Sequence, residues 1–130
     1  MTDTMTLAEY HAQRNTHRAR NKYRNKRVRH DGYTFDSMAE RDRYIELKLL
    51  QDRGYISELQ VHPRYVIVDK FTDGMGNKHQ ARCYVADFEY QEDGRIVVED
   101  VKGYQTAVFK LKKVLFLRRY PEYVFRMVNA

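Results

Sequence analysis

Residues 83–103 read C-Y-V-A-D-F-E-Y-Q-E-D-G-R-I-V-V-E-D-V-K-G, two runs rich in aromatic and β-branched residues on either side of Asp93-Gly94. An Asp-Gly pair between two such runs signals a two-residue hairpin turn. With those two residues as the turn, Glu92 pairs with Arg95, and pairing outward from there puts Asp87 opposite Asp100. Alternate side chains of a strand share a face. Asp87 therefore lies with Val85 and Glu89, while Ile96, Val98, Asp100 and Lys102 lie together on the return strand. Glu99 points to the other face. Like charges directly opposite one another destabilise a hairpin. A divalent cation or a shifted pKa removes that conflict.

The apolar surroundings V-V-E-D-V-K place these carboxylates at the end of an otherwise buried strand. Two carboxylates hold Mg2+ or Mn2+ through hard oxygen donors. Such an ion polarises a phosphoryl oxygen and lowers the pKa of a bound water. A lysine two residues past the second carboxylate reaches the same spot, where it orients or deprotonates that water. Asp-x-Lys alone carries almost no information and also suits a solvated strand face. The opposed Asp87, the apolar setting and the Gly103-helix that follows favour an active site. Glu89 is either an outer ligand or a surface charge.

The rest of the 130 residues supplies one domain's worth of chain. Eleven Tyr and six Phe give bulk for a core, while 32% charged residues and a mean hydropathy of -0.80 point to a soluble protein. No apolar run approaches the roughly 20 residues of a membrane span, and the start M-T-D-T-M-T-L-A-E-Y lacks a signal-peptide layout. The single Cys83 excludes an internal disulfide, argues against structural zinc and fits a reducing, cytoplasmic setting.

The net charge of +6 is uneven. Between Glu9 and Asp31 stand Arg14, Arg18, Arg20, Lys22, Arg24, Lys26, Arg27 and Arg29 with no acid among them. Residues 1–30 thus read as a basic arm, helical from about residue 6 to 18 behind the capping box Thr6-Leu7-Ala8-Glu9. Such an arm suits a polyanion partner better than a role as solubilising tail, and its phosphate contacts would be salt-dependent and largely blind to sequence.

Residues 31–130 read as the folded domain. After a short strand or turn at Gly32-Tyr33-Thr34-Phe35, a helix opens at Asp36-Ser37, runs to about Arg53 and stops at Gly54. Ile45, Leu47, Leu49 and Leu50 supply its apolar face, and Glu40 lies at the edge of a Glu40-Tyr44-Leu47 stripe. Locally, Ser37-Met38-Ala39-Glu40 is a capping box, which favours Glu40 as a cap. Strands follow at residues 55–61, 64–71, 80–91 and 95–102, the last three as an antiparallel meander, with residues 72–78 as a flexible connection. Ala107, Val108, Leu111, Val114 and Leu115 mark a helix over residues 104–120 packed on the sheet. A strand at residues 123–128 then returns parallel to the second hairpin strand through a right-handed crossover. The expected fold class is α/β, a mixed central sheet flanked by helices.

A helix with Glu40, then Asp87, Asp100-x-Lys102, a helix and a strand resembles the PD-(D/E)XK nuclease superfamily. More narrowly, T-F-D-S-M-A-E-R-D-R-Y, Y-V-A-D-F and V-E-D-V-K-G, with Thr106 and Lys110 beyond them, look like its small phage-encoded and Holliday-junction-resolvase-like members. The resemblance covers about residues 21–128, and Ala86 stands where the name-giving motif has proline. It implies a restriction-endonuclease-like fold, Asp87, Asp100 and Glu40 as metal ligands, and Lys102 as the catalytic lysine. It also implies that Gln105 or Lys110 approaches the scissile phosphate.

Together these expectations describe a Mg2+-dependent DNA endonuclease, with Mn2+ able to substitute, acting on branched DNA or Holliday junctions. It would work as a homodimer in the cytoplasm, that of the host if phage-encoded, with Arg18, Arg20, Lys22, Arg24, Lys26, Arg27 and Arg29 binding DNA. A non-catalytic nucleic-acid-binding protein, an RNA-directed enzyme and a degenerate interaction module remain the alternatives.

Overall fold

The computed structural model describes residues 26–130. Arg14, Arg18, Arg20, Lys22 and Arg24 and the expected helix at residues 6–18 lie outside them. The described end of the basic segment joins the domain: β1 (Val28–His30) pairs antiparallel with β2 (Tyr33–Phe35) across Asp31-Gly32.

Asp93 and Gly94 have φ of 52° and 77°, the positive pair that a tight hairpin turn demands. They join β8 (Phe88–Glu92) to β9 (Arg95–Lys102), and the ladder runs from Glu92–Arg95 to Phe88–Glu99, the register expected from the turn. β10 (Val124–Asn129) lies parallel to β9, with α2 (Ala107–Arg119) as the crossover. β3 (Ser57–Val61) pairs antiparallel with β8 on the other side, giving a four-stranded mixed sheet in the order β10-β9-β8-β3.

The expected meander differs in its outer partner. The expected antiparallel pairing of residues 64–71 with 80–91 is present in β4 (Arg64–Val68) and β7 (Arg82–Val85), but as a separate ribbon, and β3 rather than β4 flanks β8. The long strand expected over residues 80–91 is broken at Ala86-Asp87. Register explains why: Val61 faces Phe88 and Arg64 faces Val85, so one antiparallel pairing continues through both ribbons. It bends where His62-Pro63 meets Ala86-Asp87, and His62 donates its N–H to the Asp87 carbonyl at 2.9 Å while Ala86 donates to the Pro63 carbonyl at 3.1 Å. His62 sits at φ 55°, an uncommon region for a non-glycine residue, so the corner stores strain. The connection at residues 72–78 is itself ordered, lying between β5 (Phe71–Thr72) and β6 (Lys78–His79), which pair antiparallel.

α1 (Met38–Asp52) starts at Ser37, whose hydroxyl accepts the Glu40 N–H at 3.1 Å, and gives way to Gly54 at φ 82°. Its inner face is Glu40, Tyr44 and Leu47, packed with Phe35, Phe88 and Val97 on one side of the sheet. Ile45 and Leu49, expected in the core, point to solvent. α2 shows the same inversion. Thr106 caps it, and Phe109 and Phe116 face Tyr65, Tyr84 and Val98 on the opposite side of the sheet. Val108, Leu111 and Val114 face outward, each more than 60% exposed, so the aliphatic stripe is not the packed one. No described helix is long and apolar enough to cross a membrane.

Candidate active site

The bend at His62-Pro63 and Ala86-Asp87 opens beside the end of β9. Past Phe88 the ladder loosens: the Asp87 N–H reaches the Glu99 carbonyl at 3.2 Å, while its own carbonyl is taken by His62. The Asp87 carboxylate then accepts the Val101 N–H at 2.7 Å, so a side chain stands in for backbone at the corner. Asp87 is thus just off the regular ladder, yet its carboxyl lies close enough to that of Asp100 to be perturbed by it. Burial first, then Asp100, then the Glu40 charge push Asp87 up to about 9, whereas the Val101 N–H pulls the other way. Near neutral pH the pair therefore keeps a proton.

Asp100 is 2% exposed. Its Oδ2 accepts the Tyr84 hydroxyl, and its Oδ1 lies 3.5 Å from the Lys102 Nζ. The Lys102 ammonium also sits 4.8 Å from the centre of the Phe109 ring, a favourable cation–π position that narrows where the lysine can go. Burial and then Asp100 raise the Tyr84 hydroxyl well above the ordinary tyrosine range, which keeps it a proton donor to that carboxylate.

Glu40 enters from α1. It is buried, and its carboxylate bonds the His62 ring at 2.8 Å rather than completing the capping box. One donor atom each of Glu40, His62 and Asp87 lies within 4.8 Å of the other two, a spacing suited to a shared cation. Asp87 belongs both to this group and to the pair with Asp100. The donors of this group are two carboxylates and an imidazole, with the Asp100 carboxyl next to Asp87, a set that suits Mg2+ and, through the imidazole, Mn2+.

Glu99 occupies the other face, as alternation requires. It is fully buried and bound by Arg43 at 2.6 and 2.9 Å and by the Tyr90 hydroxyl at 2.6 Å. Burial disfavours the Arg43 charge, and the Glu99 carboxylate more than offsets this, raising the guanidinium above its ordinary value. Glu89 is half-buried and accepts the Tyr65 hydroxyl at 2.6 Å. Gln105 is half-buried just ahead of the Thr106 cap, and Lys110 is exposed on α2. The lysine that shares a groove with Lys102 is Lys112, together with Val85, Thr106 and Val108, in a cavity of about 270 Å3. Of the described cations expected to contact DNA, Lys26 and Arg29 are exposed, and Arg27 makes a loose pair with Asp36 at 3.8 Å.

Sequence reasoning missed His62, Tyr84 and Lys112. The first leaves a faint trace in His62-Pro63 at a strand end. The other two depend on which face of β7 and α2 turns inward.

A search of the curated proteins found no match. The family model described as protein of unknown function (DUF1064) matches residues 20–129, most of the chain, and the chain belongs to that family.

Proposed function

We propose that this chain is a divalent-metal-dependent DNA endonuclease with a restriction-endonuclease-like core, hydrolysing phosphodiester bonds in branched DNA. The supporting observation is the half-buried Asp87 and buried Asp100 carboxyls crowded at the end of a core strand, with Glu40 and His62 grouped around Asp87 and Lys102 within reach of Asp100. Two carboxyls crowded this way call for a positive partner, which a divalent cation held at the site would supply. Asp87, Asp100 and Glu40 would hold Mg2+, with Mn2+ substituting, and His62 adjoins Glu40 and Asp87.

A cation bound there would supply stabilisation of charge on a phosphoryl oxygen and a more acidic water. The chain's own residues do the positioning. Tyr84 orients Asp100 by donating to one oxygen and leaves the other toward Lys102. His62 fixes the Glu40 carboxylate across the corner. Lys102, steadied by Phe109, orients the attacking water and offsets charge developing on the phosphate. The cations of residues 14–29 supply backbone affinity. Two such subunits make paired cuts at a junction, in the cytoplasm of the cell that makes the protein.

A panel of linear, flapped and four-way DNA, incubated with purified protein and Mg2+ or Mn2+, tests this. Cleavage of branched substrates that stops in EDTA is expected. Binding without cleavage on every DNA substrate in both metals would contradict it, and cutting confined to RNA would move the activity to another substrate.

A further inference from the structure

The β5–β6 ribbon stands apart from the site and from both halves of the core. Its tip is built around Asp73. One carboxylate oxygen accepts the N–H groups of Met75 and Asn77, each at 2.9 Å, and the other bonds the His79 ring at 2.8 Å. Backbone bonds from Asp73 to the Asn77 carbonyl and from Gly76 to the Asp73 carbonyl close the turn, where Gly76 takes φ 85°. A ribbon with only two paired positions per strand is thereby given a fixed end.

That fixed end presents apolar surface outward. Met75 is 89% exposed, and Phe71, stacked on His79 with ring centres 4.7 Å apart, is 51% exposed. Lys70, Lys78 and Arg82 flank them, all exposed. Among the described residues, the ion pairs nearby are His79–Asp73 and Arg119–Asp69, which use none of these three cations.

A single exposed methionine needs no explanation. A methionine at the tip of a tied ribbon that also carries a stacked aromatic, with Lys70 and Lys78 exposed on it and Arg82, whose guanidinium donates to the Gln80 carbonyl at 3.1 Å, just beyond it, has the makeup of a groove-binding wedge. Apolar side chains of this kind insert between base steps from the minor groove, while cations hold the flanking phosphates. The paired strands are two residues each and residues 73–77 close the turn between them, so it is the tip, with Met75 foremost, that would reach into a groove ~7.5 Å deep. Two strands about 4.8 Å apart, with their side chains, are wider than its ~6 Å opening. The ribbon therefore enters best where the groove is already widened, at a flap or junction.

We propose that the β5–β6 ribbon is a DNA-gripping finger, with Met75 and Phe71 wedged at a distorted base step and Lys70, Lys78 and Arg82 on the adjoining phosphates. This rests on the reading of DNA as substrate and names the feature of DNA that is recognised.

Anisotropy titrations in EDTA, where cutting is prevented, separate the finger from the chemistry. The probes are a labelled linear duplex and a four-way junction carrying 2-aminopurine beside the branch. Wild-type protein should bind the junction and brighten the 2-aminopurine. Met75→Ala with Phe71→Ala should weaken junction binding about tenfold, as expected for lost stacking contacts, and abolish the brightening. Met75→Gln, which keeps length and removes apolar character, should also lose the brightening. Lys78→Glu should weaken both probes and flatten the salt dependence by about one contact or more. Wild-type affinity and brightening in the Met75 variants, with circular dichroism showing them folded, would overturn the finger, as would a wild-type protein that binds neither probe. A protein that binds through Met75 but never cuts in Mg2+ would instead leave the finger standing and remove the nuclease.

Discussion

Asp87 is held where its ionised form is disfavoured, and that has a definite pH signature. Its folded value is about 9 against an ordinary 3.8, so between those limits the folded state binds the proton that the unfolded state has released. The stabilisation is complete below about pH 4 and is lost as pH rises through about 9, with a slope of at most ~1.4 kcal/mol per pH unit. Metal-free protein should therefore melt at lower temperature as pH is raised over that window, and Asp87→Asn should flatten the dependence and raise the melting temperature at its alkaline end. Thermal melts of both proteins across the range check this. A different cost attaches to Glu99. Arg43→Ala leaves that fully buried carboxylate without its cation, and urea unfolding should show a loss of about 3–5 kcal/mol. At this scale the two aspartates and Lys102 were legible, because a turn of known geometry fixes which residues meet. Glu40 was legible as a capping position, and Ser37 does cap the helix through the Glu40 N–H. Its carboxylate was not, because its partner His62 lies 22 residues away across a strand corner.

The two helices show where periodicity misleads. α2 carries aliphatics at Val108, Leu111 and Val114 and aromatics at Phe109 and Phe116, two apolar stripes on different sides. Aliphatic spacing favours the first, but the aromatics bury more area and pack with Tyr65 and Tyr84, so they face inward. Phe116→Ala should cost about 3–5 kcal/mol, whereas Leu111→Gln should stay within about 0.5 kcal/mol; denaturant unfolding of each distinguishes the faces. The β8–β9 hairpin was readable to the residue because Asp93-Gly94 admits one tight register. The bend between β7 and β8 was not, since Y-V-A-D-F has no glycine or proline and the breaking Pro63 lies on the facing strand.

For the molecule as a whole, element order carried most of the architecture. A hairpin, a crossover helix and a parallel return strand give the mixed sheet, and α1 and α2 cover its two faces. What element order could not specify is that β3–β8 and β4–β7 are one pairing folded over at a corner. That corner brings Glu40, His62 and Asp87 together and puts them beside Asp100 and Lys102. The most direct test of the site is single-turnover cleavage of a four-way junction in Mg2+ by wild type and by Asp100→Ala, with binding followed in parallel. The expected result is strand cleavage by the wild type, and at least a hundredfold loss in the variant, on the order of ~2.7 kcal/mol, with junction affinity retained. Equal cleavage by the two proteins would contradict the assignment of the Asp87–Asp100 pair as the metal site.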